Sequence, residues 1–431
     1  MVAQSFVHLA HPVRIQGNVI EAYLPDTYIG EVCEVQYSLQ DSTKVGLAQV
    51  IGFNHEYTLL SLLNDNQDFS RCNVLYPTGK PFRIALNDDI AGAILDAMGN
   101  ARGRLDAKVL REPVVNDVLA VQGEPKDFTQ RWSIDTPLVT GIRAIDGLLT
   151  CGLGQRMGIF AAAGCGKTSL MSMLVEHSEA DIYVIGLIGE RGREVTEFIE
   201  TLKQSSRCSQ IVLVYATSDR SCIERYNAAQ IATRVAEYFS AKGKHVLLFI
   251  DSITRYARAL RDTALSMGEM PARRGYPASV FEALPKLLER PGRFQYGSIT
   301  AFYTVLIENE EEPDIIGDEV RSILDGHIYL SNKLAAQAHY PAIDILQSVS
   351  RVFLNIIQSK QQRAAARFRE LLFRQRDMQL YLDLGEYQPG DNVENDTALN
   401  KKEGMENFLK QDMNQKTEIT ICLDNLYECL A

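Results

Sequence analysis

Ala161-Ala-Ala-Gly-Cys-Gly-Lys-Thr168 follows directly on the run Arg156-Met-Gly-Ile-Phe160, and the reading of these residues decides the fold. A short apolar run that stops at a glycine-bearing turn and passes into a helix leaves several backbone N–H groups pointing into one concavity. The positive end of the helix dipole faces the same space. The helix is expected from about 168 to 174. Lys167 then reaches the β- and γ-phosphates of a nucleotide, and Thr168 offers its hydroxyl to Mg²⁺. Ala163, Gly164, Cys165, Gly166 and Ser169 complete the nucleotide-binding loop. Ala161 stands where the pattern usually carries its first glycine, so the chain must pass that point without one. Gly79-Lys80 is a chance echo of the motif, followed by Pro81. For Cys165, a redox role beside a helix N-terminus is weighed against a small residue tolerated in a tight turn, and the second reading is preferred.

The surroundings fit an α/β protein. Further apolar runs are expected as buried strands at 157–160, 182–188, 211–215, 246–250 and 299–306, separated by helical stretches. Continuous apolar runs are what a parallel sheet covered on both faces requires. Residues 1–78 instead alternate polar and apolar between turn residues such as Pro25-Asp26, Gly30 and Asn64-Asp65, which reads as a small antiparallel barrel. From 353 to 431 the chain turns helical and charged. An arginine-rich stretch covers 358–384, and a Pro389-Gly390 break and a polar stretch to Asn400 follow. Three regions result: 1–78, 79–352 and 353–431.

With 431 residues, the chain is too long for one core. Its net charge of −11 argues against a protein that coats nucleic acid. No apolar run approaches the roughly 20 residues of a membrane span, no secretory signal is visible at the start, and the eight cysteines form no Cys-x-x-Cys. A cytoplasmic address is expected.

Ligands of open α/β sheets lie beyond the carboxyl ends of the strands. The run 182–188 leads into Gly189-Glu-Arg-Gly-Arg-Glu194. If that strand neighbours 157–160, Glu190 projects toward the γ-phosphate and can orient the attacking water, while Arg191 can neutralise phosphate oxygens. The alternative is a solvated turn opening a helix, preferred for Glu194 and Glu197. Val246-Leu-Leu-Phe-Ile-Asp251 places a carboxylate after a buried strand. Asp251 is read as holding Mg²⁺ through its water shell opposite Thr168, although an Asp there is often only a helix cap.

Pro341-Ala-Ile-Asp-Ile-Leu-Gln-Ser-Val-Ser350, with Tyr340 before it and Arg351 after it, resembles the signature of the rotary and export ATPases that include the ATP synthase α and β subunits. The likeness runs from about residue 10 to 385. The loop 161–168, the stretches 258–262 and 271–277, Leu284-Pro-Lys-Leu-Leu-Glu-Arg-Pro-Gly292 and Arg321-Ser-Ile-Leu-Asp-Gly-His327 are similar to the type III secretion ATPases. The loop's wording resembles their virulence-associated, non-flagellar branch. The resemblance implies an α/β fold with a central P-loop (RecA-like) parallel-sheet ATPase domain, a small N-terminal β-barrel for oligomerisation and a C-terminal helical domain for cargo or chaperone contact. It implies ATP and Mg²⁺, with Glu190 as catalytic carboxylate and Arg191 and Arg255 near the γ-phosphate. Tyr340 stacks on adenine, and Arg351 serves as an arginine finger in the neighbouring subunit's site. Implied partners are other copies in a homohexamer, stalk, stator or regulator and export-gate proteins, and chaperone–effector complexes at the cytoplasmic face of the bacterial inner membrane.

Other readings differ in particular residues. A flagellar-type export ATPase is the first alternative, and the wording of the loop resembles that branch less. A rotary synthase β subunit is disfavoured by the short region after Arg351. A non-catalytic α-type subunit carries Gln where Glu190 stands, and an RNA translocase needs a basic, aromatic N-terminal domain, whereas residues 1–78 hold only Arg14, Lys44 and Arg71. The acidic run 308–314 is read as a solvated loop, not a cation site, and the arginines of 363–376 as an exposed face.

Overall fold

The computed structural model describes residues 7–63, 69–109, 117–307, 314–388, 390 and 392–431. Six strands form the first unit: β1 (Pro12–Gln16), β2 (Val19–Ala22), β3 (Glu31–Gln36), β4 (Lys44–Asn54), β5 (Tyr57–Leu62) and β6 (Val74–Pro81). They pair antiparallel in the order β1-β2-β5-β4-β3-β6. Ala10, just ahead of β1, exchanges backbone hydrogen bonds with Leu75 of β6 at 2.8 and 3.4 Å, so the two ends of the sheet meet and a barrel closes. Closure removes the exposed strand edges that an open sheet would leave. Ile20, Leu60, Cys33, Val35 and Leu75 are fully buried within it.

The next stretch is made of short strands, not of the strand–helix alternation expected from residue 79 onward. β7 (Arg83–Leu86) pairs with β10 (Asp117–Ala120), and β8 (Ala93–Leu95) pairs with β9 (Ala101–Arg104) at the edge of the central sheet. β11 (Pro137–Leu138) and β12 (Cys151–Gly152) flank helix α1 (Arg143–Leu148).

The central sheet holds all five expected strands: β13 (Arg156–Ala161), β14 (Ile182–Glu190), β15 (Ile211–Thr217), β16 (His245–Asp251) and β18 (Ser298–Leu306). The two-residue β17 (Gly292–Arg293) pairs against β18, while β19 (Gly326–Leu330) and β20 (Val349–Ser350) extend the sheet beyond β13. The order is β20-β19-β13-β18-β16-β14-β15-β8-β9, parallel from β19 through β8. The condition set for Glu190, that strand 182–188 neighbours 157–160, is not met: β18 and β16 stand between them.

Both faces of the sheet are covered, which is why alternation vanishes from the strands. On β14, Ile182, Val184 and Ile188 enter one core, and Tyr183, Ile185 and Leu187 the other. The first face takes α4 (Cys222–Ala241), α5 (Ile253–Ser266), α6 (Ala278–Leu288) and α7 (Ile315–Ile323), and the second takes α2 (Lys167–His177) and α3 (Gly192–Gln204). A short helix α8 (Asn332–Ala336) follows β19.

The chain then runs through α9 (Phe353–Ile356), α10 (Ser359–Asp383), α11 (Val393–Asn400), α12 (Lys402–Leu409) and α13 (Ile419–Glu428). The expected polar stretch before Asn400 is therefore helical. The Asn392 side chain accepts from the N–H groups of Glu394 and Asn395 and so starts that helix. Pro389 lies outside the described residues. These helices pack on α1: Phe368 meets Phe408 at 5.6 Å between ring centroids, and Gly147 leaves the space that Phe408 fills.

Candidate active site

The parallel strands from β19 through β8 point their carboxyl ends the same way, and polar side chains that several of them carry converge there. β13 ends at Ala161, paired to Leu306 on one side and Leu330 on the other. Ala161 is an ordinary strand residue, so the glycine usual at that position is not needed. The turn itself uses left-handed backbone at Gly164 (φ 84°) and Gly166 (φ 82°), a region costly for residues with a Cβ. Gly166 is the N-cap of α2, and no side chain caps that helix. Its first N–H groups are thereby left to an anion. Ala163, Gly164 and Thr168 are exposed at the mouth, whereas Cys165 is buried beneath, its thiol donating to Asn332 Oδ1 at 2.7 Å.

Lys167 lies at the centre of the charge arrangement. Its Nζ donates to Asp251 Oδ1 at 2.6 Å and to Glu190 Oε1 at 3.4 Å. Burial opposes its charge, but Asp251 and then Glu190 more than offset this, and the ammonium is held above its ordinary pKa. Arg255, in the first turn of α5, brings Nη1 to 2.5 Å from Glu190 Oε1. Two buried carboxylates thus meet two cations, with Glu190 only 7% and Asp251 only 4% exposed. Glu190 reaches Lys167 across two intervening strands because β14 runs on past Leu187, which pairs with Asp251 at the end of β16.

Asp251 is not a helix cap. Ser252 fills that role for α5, its hydroxyl accepting from Arg255 N. Asp251 Oδ1 instead accepts from Lys167 and from the Thr304 hydroxyl of β18 at 2.7 Å. With the exposed Thr168 hydroxyl on α2, this oxygen-rich set of hard donors fits Mg²⁺. Thr304 was not anticipated. Its signal in the sequence is a threonine two residues before the end of a run that also carries Thr300 and Tyr303.

Two anticipated residues are not brought to this cluster. Arg191 precedes α3 with its side chain 79% exposed, 3.5 Å from Glu194, and Glu197 pairs with Arg193 at 2.7 Å. Arg351 follows β20, which pairs with the beginning of β19, and its N–H donates to Asp325 O beside the start of β13. Along β13 that is roughly 16 Å from the phosphate loop, at about 3.3 Å per residue. The Arg351 guanidinium is exposed. It donates to Arg321 O at 3.1 Å and makes no ion pair among the described residues.

Tyr340 does reach the loop. Its ring carbons lie 3.3 and 3.5 Å from where a Cβ on Gly166 would stand, and the residue is 42% exposed, so it is no core aromatic. The segment 341–350 between Tyr340 and Arg351 is braced from within and from behind. Asp344 accepts from Leu346 N, Gln347 N and Arg376, Ser348 donates to Asp344 O, and Ser350 donates to Thr150 O. Arg369 donates to Ile345 O and Ser348 O at 2.6 and 3.2 Å. The arginines of α10 are therefore not simply a solvated face, since Arg369 and Arg376 hold this segment. The acidic run 308–313 lies outside the described residues, and Asp314 caps α7 through Ile316 N.

The ATP synthase alpha/beta family nucleotide-binding domain matches residues 141–350, and the T3SS EscN ATPase C-terminal domain matches 357–428. The SPI-1 type 3 secretion system ATPase of Salmonella typhi is 54% identical over 95% of this chain and 94% of its own length. The chain belongs to the type III secretion system ATPases. As a member of that family it is an ATPase of protein export, and the EscN-type C-terminal match separates it from rotary synthase subunits. The assembled ATPase EscN from the enteropathogenic E. coli type III secretion system superposes with a TM-score of 0.91 at 42% identity, covering 98% of this chain and all of that one. EscN in complex with its central stalk EscO gives 0.88 at 41%, with the same coverage. Among the described residues no helix is long and apolar enough to cross a membrane.

Proposed function

We propose that this type III secretion ATPase hydrolyses MgATP at sites shared between adjacent copies in a homohexamer and uses the energy to release or unfold chaperone-bound export substrates. The observation that carries the catalytic part is the Lys167 ammonium held between Glu190 and Asp251 at the mouth of a glycine loop. Thr168 and Asp251 would hold Mg²⁺, which would supply neutralisation of phosphate charge. Lys167 leaves its carboxylate partners for the γ-phosphate, while loop N–H groups and Ser169 hold the remaining oxygens. Glu190, released from Lys167 but still beside Arg255, accepts a hydrogen bond from the attacking water and orients it in line. Arg255 keeps Glu190 aimed, and Tyr340 stacks on the base. Arg191, next to Glu190 in the chain and highly exposed, turns toward the γ-phosphate when nucleotide binds.

Arg351 cannot serve its own phosphate loop from the opposite end of the sheet. An exposed guanidinium there suits donation to the next copy, and such fingers are worth roughly 10³- to 10⁵-fold in rate. The regions then divide the work: the barrel of 1–78 for ring assembly, 79–352 for ATP chemistry and 353–431 for cargo and chaperone contact. Stalk, stator and export-gate proteins would engage the ring at the cytoplasmic face of the inner membrane.

The test is Arg351→Ala. It should abolish hydrolysis yet leave nucleotide binding, read by a fluorescent ATP analogue, within about twofold. Turnover per chain should rise with protein concentration across the assembly range. Loss of binding together with activity, or a rate strictly proportional to concentration, would refute a shared site.

A further inference from the structure

Strand β13 serves two places at once: its carboxyl end runs into the phosphate loop, and its side chains hold the seat of Arg351. At its start, the Arg156 guanidinium donates from Nε and Nη2 to the Asp325 carboxylate at 2.8 Å each, and Asp325 O in turn accepts from Arg351 N at 2.9 Å. At its far end, one residue before the loop's Ala161, the ring of Phe160 stacks on Tyr329 of β19 at 5.0 Å. The Arg321 guanidinium at the end of α7 lies over both rings, 5.4 Å from Phe160 and 5.6 Å from Tyr329, and donates to the Tyr329 hydroxyl. Asp318 holds its other nitrogen at 3.1 Å. Gly158 makes this layer possible, since a Cβ there would stand 2.5 Å from the Phe160 ring. The Arg321 carbonyl is the acceptor for the Arg351 guanidinium.

We propose that Arg321 is a positioning residue that fastens the seat of Arg351 to strand β13, so that the arginine offered to a neighbour follows the state of the protomer's own phosphate loop. The inference rests on Arg351 acting in the neighbouring site. Movement of the loop on binding or losing phosphate shifts Phe160, and Phe160 and Tyr329 carry Arg321 with them. The aromatic faces grip the guanidinium through their quadrupoles, and the carbonyl of the same residue sets where Arg351 points. Catalytic contact remains with Arg351; Arg321 acts through it.

The experiment is a double-mutant cycle on the full chain in its assembled form. Arg321→Met should lower kcat on the order of tenfold, the usual reach of coupling between packed elements, with KM for ATP and assembly within about twofold. Arg321→Lys, which keeps a cation over the rings, should recover most of that loss. In an Arg351→Lys background, Arg321→Met should add almost nothing. An equal further loss in that background would overturn the proposal, because a merely structural residue acts independently of Arg351. Full activity of Arg321→Met beside an inactive Arg351→Ala would overturn this proposal alone, whereas full activity of Arg351→Ala would remove the shared-site reading beneath it. Should Arg321→Met fail to assemble, Tyr329→Phe removes the hydroxyl and keeps the ring. It should lower kcat about two- to fivefold, again only while Arg351 is intact, and unchanged turnover would refute the coupling.

Discussion

Lys167 shows how a buried cation can be both paired and available. Its pairing with Asp251 and Glu190 raises its pKa despite burial. The stabilisation from this pairing is present below the ordinary lysine pKa and is lost only as pH climbs through the raised folded value. Lys167 therefore remains charged from pH 6 to 9, and any change of rate in that window must come from another group. Lys167→Ala should abolish turnover at every pH in the range, and a steady-state assay that finds recovery at any of them would contradict the assigned role. Thr304 offers a finer probe. Thr304→Val keeps the shape but removes a 2.7 Å hydrogen bond to Asp251, a net loss of about 1 kcal/mol that should appear as a roughly fivefold fall in kcat. An unchanged rate would mean that Asp251 is oriented without it.

Elements make these residues cooperate. Helix α4 runs through the core for twenty residues, begun by a capping box in which the Ser221 hydroxyl accepts from Glu224 N and Glu224 Oε2 accepts from Ser221 N. Ser221→Ala should cost about 1 kcal/mol in urea unfolding without altering KM for ATP. The segment 341–350 is the more telling element, because its Asp and two Ser contact no phosphate position and serve to fix the ends where Tyr340 and Arg351 stand. Asp344 is 4% exposed with three donors aimed at it. Asp344→Ala strands them, which costs about 1–3 kcal/mol. Turnover should fall with stability while the Lys167 loop still binds nucleotide, and normal turnover with normal Tm would argue against a brace.

At the scale of the molecule, acid sensitivity follows from burial. His245, His327 and His339 are each pushed below the ordinary histidine pKa, chiefly by desolvation. The folded chain keeps them neutral, whereas the unfolded chain takes up protons below about pH 6.5. Stability from these three groups is full above that value and declines as pH falls. Buried Asp146, raised to about 6, works the other way, favouring the fold on acidification, but it is one group against three. Calorimetric Tm should fall between pH 7.5 and 5.5, and a rise would show that carboxyl groups dominate instead.

Much of this was legible without coordinates. The loop 161–168 announces itself because glycines, Lys and Thr at that spacing have a chemistry of their own, and the five buried strands do so because a sheet covered on both faces demands unbroken apolar runs. Glu190 and Asp251 could be named from their positions after strands, and Tyr340 from the resemblance that the 341–350 segment carries. The order of the strands could not, since every apolar run satisfies any parallel neighbour equally well, and so whether Glu190 stands one strand from the loop or three was left open. Nor could Thr304, Arg369 or the layer of Phe160, Tyr329 and Arg321 be found, because each partner lies far along the chain. Local chemistry is written in neighbouring residues; which distant side chains share one buried space is settled only when the sheet assembles and its helices close over it.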